Sequence, residues 1–288
     1  MLLNTMDILI DAEKHNYAAA AFSVYNWETV NAAVEAAEKA NTPVILALAE
    51  RYLDYIDIDV FAAMARVRAE KAIVPVSIHM DHAYKKESIK KAISAGFSSV
   101  MFDGSHLPFE ENVQQTKEIV EVAHRAGVSV EAELGSIAIG KHSDEEAAEN
   151  VLTDPQMARL FVEETKIDFL APAIGTVHGM YAAEPNIDLA RLSKIRECTD
   201  IPQVLHGGSG TPGDFILAAI NSGIRKININ TEVSIAAVEN ARKTLEDHSS
   251  KGALPHLSVV NKDMQAAMIT VMEKYLLLFS NGLLASNN

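Results

Sequence analysis

Short, nearly uninterrupted apolar runs alternate with longer amphipathic stretches along the whole of this chain. The runs are YAAAAF (17–22), PVILALA (43–49), VPVSIH (74–79), SSVMF (98–102), VSVEAE (128–133), DFLAPA (168–173), PQVLH (202–206) and IRKINI (224–229). Runs of this length with few polar breaks predict strands buried on both faces, as a parallel sheet requires. Between them the 3.6-residue apolar period predicts helices over 28–40, 57–72, 85–95, 109–126, 155–165, 187–197, 213–222 and 231–247, with a further C-terminal helix over 261–279. Asp154-Pro155 reads as an N-cap followed by a first-turn proline, and Thr211-Pro212 repeats that pattern. Gly96 and Gly127 fall where helices should end in a left-handed residue.

Eight strand-helix units with no Pro/Gly/Ser-rich linker predict one α/β domain over residues 1–288, a (β/α)8 TIM barrel with an additional C-terminal helix. An open doubly wound sheet shares this periodicity, so the placement of polar residues has to decide. Potential ligands and acid-base groups leave the same end of successive strands: His79, Asp81 and His82 after the third, Asp103 after the fourth, Glu131 and Glu133 on the fifth. His178 follows the sixth, His206 ends the seventh, and Asn228, Asn230 and Thr231 close the eighth. An open sheet would string these ends along a line, whereas a closed barrel gathers them around one mouth. That favours the barrel.

Composition narrows the function classes. A formal net charge of −14 over 288 residues repels phosphodiester backbones and anionic lipid, which disfavours nucleic-acid and membrane partners while leaving room for a local anion site. The single cysteine, Cys198, forbids an internal disulfide and suits a reducing compartment. The opening MLLNTMDILIDAEKHN lacks a basic leader segment, so a cytoplasmic protein is expected.

His82, His178 and His206 lie far apart in sequence yet at equivalent strand ends. Three neutral imidazoles leave the fourth position of a zinc ion open, which a catalytic site needs and a structural one does not. The segments HGGSGTP (206–212) and NINTE (228–232) place glycines and a helix start after the seventh and eighth strands, where barrels commonly hold phosphate.

The ordered motifs HMDHA (79–83), FDGSH (102–106), VEAELG (130–135), AIGTVHGMY (173–181), VLHGGSG (204–210) and KININTE (226–232) resemble those of the class II fructose-bisphosphate and tagatose-bisphosphate aldolases. The resemblance implies a metal-dependent aldolase. Such an enzyme reversibly cleaves a ketose 1-phosphate or ketose 1,6-bisphosphate to dihydroxyacetone phosphate and an aldehyde through a zinc-stabilised enediolate. It implies that His82, His178 and His206 bind catalytic Zn2+, and that Asp103 and Glu133 hold a second or displaced metal ion. Asp81 is implied as the acid-base group at the aldehyde oxygen. Gly179, Gly207, Gly208 and Ser209, with Asn228, Ile229, Asn230 and Thr231, are implied as the phosphate and substrate cradle. A monovalent cation and a homodimer or homotetramer are also family expectations, and the apolar LLLF (276–279) of the last helix offers surface for assembly. Glu131 also fits a plain polar layer. Catalysis through a lysine Schiff base is disfavoured, since DFLAPA holds no lysine and Lys226 lies early on its strand.

Three departures from the family pattern bear on substrate. Ala182 stands where a lysine is usual, and Lys141 where the loop glutamate would fall, with Glu145 or Glu146 as replacements for the base that deprotonates dihydroxyacetone phosphate. The second strand ends in LALAERYLDY (46–55), where a serine and glycines near the substrate are usual, and Arg51 there is expected to meet an anionic group on the aldehyde half. Two other readings stay in view: another metal-dependent sugar-phosphate lyase or isomerase, and a catalytically altered sugar-phosphate-binding or partner subunit.

Overall fold

The computed structural model describes residues 1–145 and 151–282. Its eight barrel strands are β1 (Ala19–Ser23), β2 (Val44–Ala49), β3 (Val76–Ala83), β4 (Ser99–Phe102), β5 (Ser129–Leu134), β7 (Phe169–Pro172), β9 (Gln203–Leu205) and β10 (Ile224–Ile229), all paired in parallel. They close in the order β1-β10-β9-β7-β5-β4-β3-β2. Two short strands outside the barrel, β6 (Ala138–Ile139) and β8 (Val177–His178), pair with each other. The closed barrel is the expected one.

Helices α2 (Trp27–Ala40), α3 (Ile58–Glu70), α4 (Lys86–Ala95), α5 (Phe109–Arg125), α6 (Pro155–Thr165), α7 (Leu189–Cys198), α8 (Gly213–Asn221) and α9 (Thr231–Ser249) follow the strands, and α10 (Leu257–Phe279) ends the described chain. Asp154 caps α6 through the N–H groups of Gln156 and Met157 with Pro155 in the first turn, and Gly96 closes α4 at φ 89°. The Thr211-Pro212 expectation fails. Pro212 itself precedes α8, while the Thr211 hydroxyl donates to the carbonyl of Gly207 inside the loop. Periodicity does not anticipate α1 (Thr5–His15), which plugs the N-terminal end of the barrel. Its Ile8 and Leu9 pack against the inward residues Ala19, Ala21, Ile45, Ala47, Phe169, Ala171 and Val204. Successive side chains on a strand point to opposite faces, so these small and apolar residues fill the floor while their neighbours meet the surrounding helices.

The last helix corrects another expectation. Leu276 and Phe279 are buried against the chain's own barrel and helices, leaving Leu277 half exposed, so LLLF offers little free apolar surface. Among the described residues, no helix is long and apolar enough to cross a membrane.

Candidate active site

Above the apolar floor, inward positions turn polar. His79 and Asp81 alternate on β3, Glu131 and Glu133 on β5, and Lys226 and Asn228 on β10, so all six point into the barrel. Each carries a potential charge or hydrogen-bonding group out of water, which is tolerable only if partners surround it. They do. Lys226 Nζ, fully buried, lies 2.7 Å from Glu131 Oε2 and 4.0 Å from Asp81 Oδ1. The other Glu131 oxygen lies 2.7 Å from His206 Nε2, and Asn228 Nδ2 donates to both oxygens of Asp81 at 3.1 and 3.3 Å. His79 Nδ1 pairs with Ser99 Oγ at 2.7 Å, and Ser99 in turn meets Thr5 of the plug. Lys226 starts low on its strand, but its long stem carries the ammonium up to the site.

β3 runs to Ala83, four residues beyond the predicted end, and its register against β4 shifts between Met80 and Ala83. At that irregularity His82 adopts φ 41°. A left-handed backbone costs an L-residue roughly 1–2 kcal/mol, which surrounding contacts must offset. Here the departure from simple alternation lets His82 follow Asp81 into the mouth, where its Nδ1 contacts Asp103 Oδ2 at 2.8 Å and its Nε2 contacts His206 Nδ1 at 2.9 Å.

The third imidazole, His178, sits on β8, outside the barrel and tied to the loop after β5 through β6. The ligand nitrogens of His82, His178 and His206 all lie within 4.8 Å of one another, and their ring centroids are 4.6 to 5.7 Å apart. Zinc–nitrogen bonds of about 2.0–2.1 Å in a tetrahedron set nitrogens about 3.4 Å apart, so small adjustments bring this triad to that spacing. Buried His178 Nε2 has no hydrogen-bond partner, as expected of an atom reserved for a ligand. Burial, then positive charge on His82 and His206, holds the His178 imidazole well below its ordinary pKa, in the neutral form that donates a lone pair. For His82, burial opposes protonation, but Glu145, Asp81 and Asp103 outweigh it and push the pKa well up. The surrounding carboxylates thus favour positive charge at this point, whether a proton or a metal carries it. The donor set fits a divalent cation.

Asp103, Glu133 and His82 form a second buried group with ligand spacing. Burial and then neighbouring Asp103 push the Glu133 carboxyl well above the carboxylate range. For Asp103, burial acts upward, but the hydrogen bond to His82, its charge and the Ser105 donors carry the pKa well down. Asp81 behaves likewise: burial is overcome by His82, His79, Lys226 and His206, and its pKa falls well below the ordinary value. Its carboxyl is therefore held in the ionised form.

Eleven of the sequence candidates line one cavity: Asp81, His82, Glu145, His178, Gly179, Gly207, Gly208, Ser209, Asn228, Asn230 and Thr231. Gly179 has φ 102°, and a Cβ there would stand 2.6 Å from the Lys141 carbonyl oxygen, so the turn that carries His178 accepts only glycine without rearrangement. Asn230 leads into α9 without a side-chain cap, leaving first-turn N–H groups of a long helix beside Ser209. Ile229 is not among the lining residues, because its side chain lies buried in the layer between strands and helices. Asp103 and Glu133 line instead an adjoining cavity of about 1030 Å³ that shares His82, His178, Asp144 and Glu145 with the first.

Four lining or supporting residues escape the sequence reading of the site: Ser23, Ser143, Asp144 and Lys226. Lys226 was legible in principle, since a lysine two positions before Asn228 must share its inward face. Arg51 lies 2.7 Å from Glu145 and 3.3 Å from Asp144, so it already pairs with two anions of the protein itself. Glu145 lines both cavities, whereas Glu146 lies outside the described residues.

Comparison with known proteins agrees with this geometry. The family model described as fructose-bisphosphate aldolase class-II matches residues 3–282. A Staphylococcus aureus fructose-bisphosphate aldolase is 42% identical over 250 residues, covering 85% of this chain and 87% of that protein. A Helicobacter pylori fructose-bisphosphate aldolase is 38% identical over 276 residues, covering 87% and 90%. Among solved structures, the YdjI aldolase of Escherichia coli K12 superposes with a TM-score of 0.85 at 34% identity, covering 98% of this chain and 99% of that one.

Proposed function

The chain belongs to the class-II fructose-bisphosphate aldolase family, metal-dependent enzymes that split a ketose phosphate into dihydroxyacetone phosphate and an aldehyde, and from that premise we propose which residues carry the reaction here. His82, His178 and His206 hold the catalytic metal, with zinc the ion that suits three imidazoles and an open position. Zinc bound there would supply Lewis acidity for the negative charge that develops when the carbon–carbon bond breaks. Asp103 and Glu133, which share His82, offer a second cation position.

Asp81 accepts the proton of the hydroxyl that becomes the aldehyde oxygen and returns it during condensation. Its depressed pKa keeps it ionised, as an acceptor must be, and the two contacts from Asn228 Nδ2 hold the carboxylate in place. Asn228 Oδ1, buried without a partner, is available to a substrate hydroxyl. Gly179, Gly207, Gly208, Ser209, Asn230 and Thr231 receive the phosphate through N–H and hydroxyl donors, with Ile229 contributing backbone alone. Glu145, at the mouth beside His82, removes the carbon-bound proton of dihydroxyacetone phosphate in condensation and restores it in cleavage. The electron pair left behind is delocalised onto the neighbouring carbonyl.

The observation that carries this reading is the convergence of three imidazoles from distant stretches within 4.8 Å of one another, beside an ionised, buried Asp81. The test is a panel of aldehydes condensed with dihydroxyacetone phosphate, with and without chelator. Loss of activity under chelation and its return with zinc are expected. Full activity under chelation, with borohydride trapping a lysine adduct, would overturn the reading.

A further inference from the structure

We propose that Arg51 is a positioning residue that clamps the loop after β5 over the site and sets Glu145 in its working place, an inference that rests on Glu145 being the carbon acid's base. Arg51 lies on a 3-10 turn, Glu50–Asp54, directly after β2. Its Nη1 lies 2.7 Å from Glu145 Oε1, while its Nε and Nη2 lie 3.3 Å from the two oxygens of Asp144. Asp144 is gripped from two further sides. Tyr52 Oη donates to its Oδ2 at 2.5 Å, and Asn230 Nδ2 donates to its Oδ1 at 3.0 Å. Asp144 is thus a handle, and the residue beside it does the chemistry.

The clamp is itself anchored. Glu50, buried, accepts from the backbone N–H of Tyr84 at 2.8 Å and from the hydroxyl of Ser88, tying the 3-10 turn to the start of α4. The guanidinium lies 4.8 Å from the centroid of the Tyr52 ring, and that ring lies 4.6 Å from Tyr25. A planar fork fixed in this way can address two adjacent carboxylates at once, which a lysine ammonium, a single flexible point charge, does less well. The glutamate is only 13% exposed and the arginine 22%, so their attraction is screened far less than at an open surface. Asn230 also lines the phosphate cradle, so the clamp joins the loop to the same strand end that would receive the substrate phosphate.

The position matters because a proton can be taken from carbon only by a base held close and in line. A displacement of about 1 Å costs an enzyme up to roughly 100-fold in rate. The test compares Arg51→Ala, Arg51→Lys, Tyr52→Phe and Glu145→Gln in the zinc-loaded enzyme. The readouts are exchange of the carbon-bound proton of dihydroxyacetone phosphate with deuterated water, KM for dihydroxyacetone phosphate, and the rate of tryptic cleavage after the exposed Lys141 in the loop. We expect Glu145→Gln to abolish exchange. Arg51→Ala should slow exchange by about 10–100-fold with KM changed less than about threefold, and Arg51→Lys should recover part of that loss. Tryptic cleavage should quicken in Arg51→Ala and in Tyr52→Phe.

The failures separate cleanly. Exchange that survives in Glu145→Gln would remove Glu145 as the base. Exchange lost in Glu145→Gln but unchanged in Arg51→Ala would leave that base standing and overturn the clamp. A higher KM for anionic aldehydes in Arg51→Ala, with exchange and tryptic cleavage both at wild-type rates, would return Arg51 to substrate recognition and overturn it equally.

Discussion

Two charged clusters meet at this active site and are built in opposite ways. Inside the barrel, Lys226, Glu131, His206, His79 and Asp81 are carried on β3, β5, β9 and β10 or at their ends and are buried together, and each rests against another. At the rim, Arg51, Tyr52, Asn230, Asp144 and Glu145 come from a turn, a helix start and a loop, and Asp144 is 46% exposed. The inner cluster is held by strands whose backbone hydrogen bonds form with the fold, so its geometry exists before substrate binds. The outer one must be ordered against loop entropy whenever it closes. Folding of the barrel alone fixes the inner charges, whereas the rim depends also on the placement of a turn and a loop. The proposed metal triad straddles the boundary, with His82 and His206 inside and His178 on β8 at the rim.

The largest test of that division is at the boundary. His178→Ala removes one of the three proposed ligands without touching the inner network, and should abolish both zinc retention and aldol cleavage in the purified protein. Metal analysis together with triose phosphate release reads both, and a variant that keeps zinc and turns over normally would show the rim ligand to be dispensable. Next is Asp81→Asn, which keeps the shape and removes the proposed base. Cleavage should fall by about 10²–10⁴-fold, the range for a positioned acid-base group, with zinc content unchanged. An equal fall in zinc content would make Asp81 a support for the metal instead.

Lys226→Met tests the inner cluster as structure. It leaves Glu131 buried without its cation, and breaking a buried pair from one side costs about 3–5 kcal/mol. Urea unfolding should report that loss, and Lys226→Met combined with Glu131→Leu should recover much of it. Arg51→Ala, by contrast, should leave global stability nearly unchanged, because a loop can open without unfolding the barrel. If Arg51→Ala destabilised the protein as much as Lys226→Met, the two clusters would not differ in kind.

This contrast also explains what the sequence made legible. The barrel, nearly every helix and the mouth residues follow from local periodicity and from polar residues at strand ends. β3 reads four residues short because Asp81 and His82, within Met80 to Ala83, read as the start of a polar loop, when that segment continues the strand. The N-terminal helix escapes because its apolar face is explained only by the barrel floor it closes. The partners of Arg51 escape for a different reason. Asp144 and Glu145 lie more than 90 positions away, and nothing in a local pattern says which loop will fold over which turn. Strand-borne chemistry leaves a periodic trace, whereas loop-borne chemistry does not.

The smallest expected effect compares carboxylates held by arginine in scaffold and rim. Glu38 on α2 accepts from Arg68 on α3 at 2.8 and 3.2 Å, and the pair is 22% and 13% exposed. The Arg68 hydrogen bonds lower the Glu38 pKa below its ordinary 4.5; burial opposes this, while the charge of Arg68 and the Ile73 N–H add to it. A carboxylate depressed on folding stabilises fully above its unfolded pKa, and that stability is lost as pH falls through the lower folded value. Glu38→Gln should therefore cost on the order of 1 kcal/mol at neutral pH, and the gap to the wild type should close as pH drops below 4.5. Asp144 is depressed as well, with burial opposing and Arg51 and Tyr52 prevailing, but it sits on a loop that can detach by itself. Asp144→Asn should therefore show no comparable pH-dependent gap in global unfolding. Urea titrations of both variants between pH 3 and 7 decide the matter, and a closing gap of equal size in Asp144→Asn would mean that the rim unfolds with the barrel.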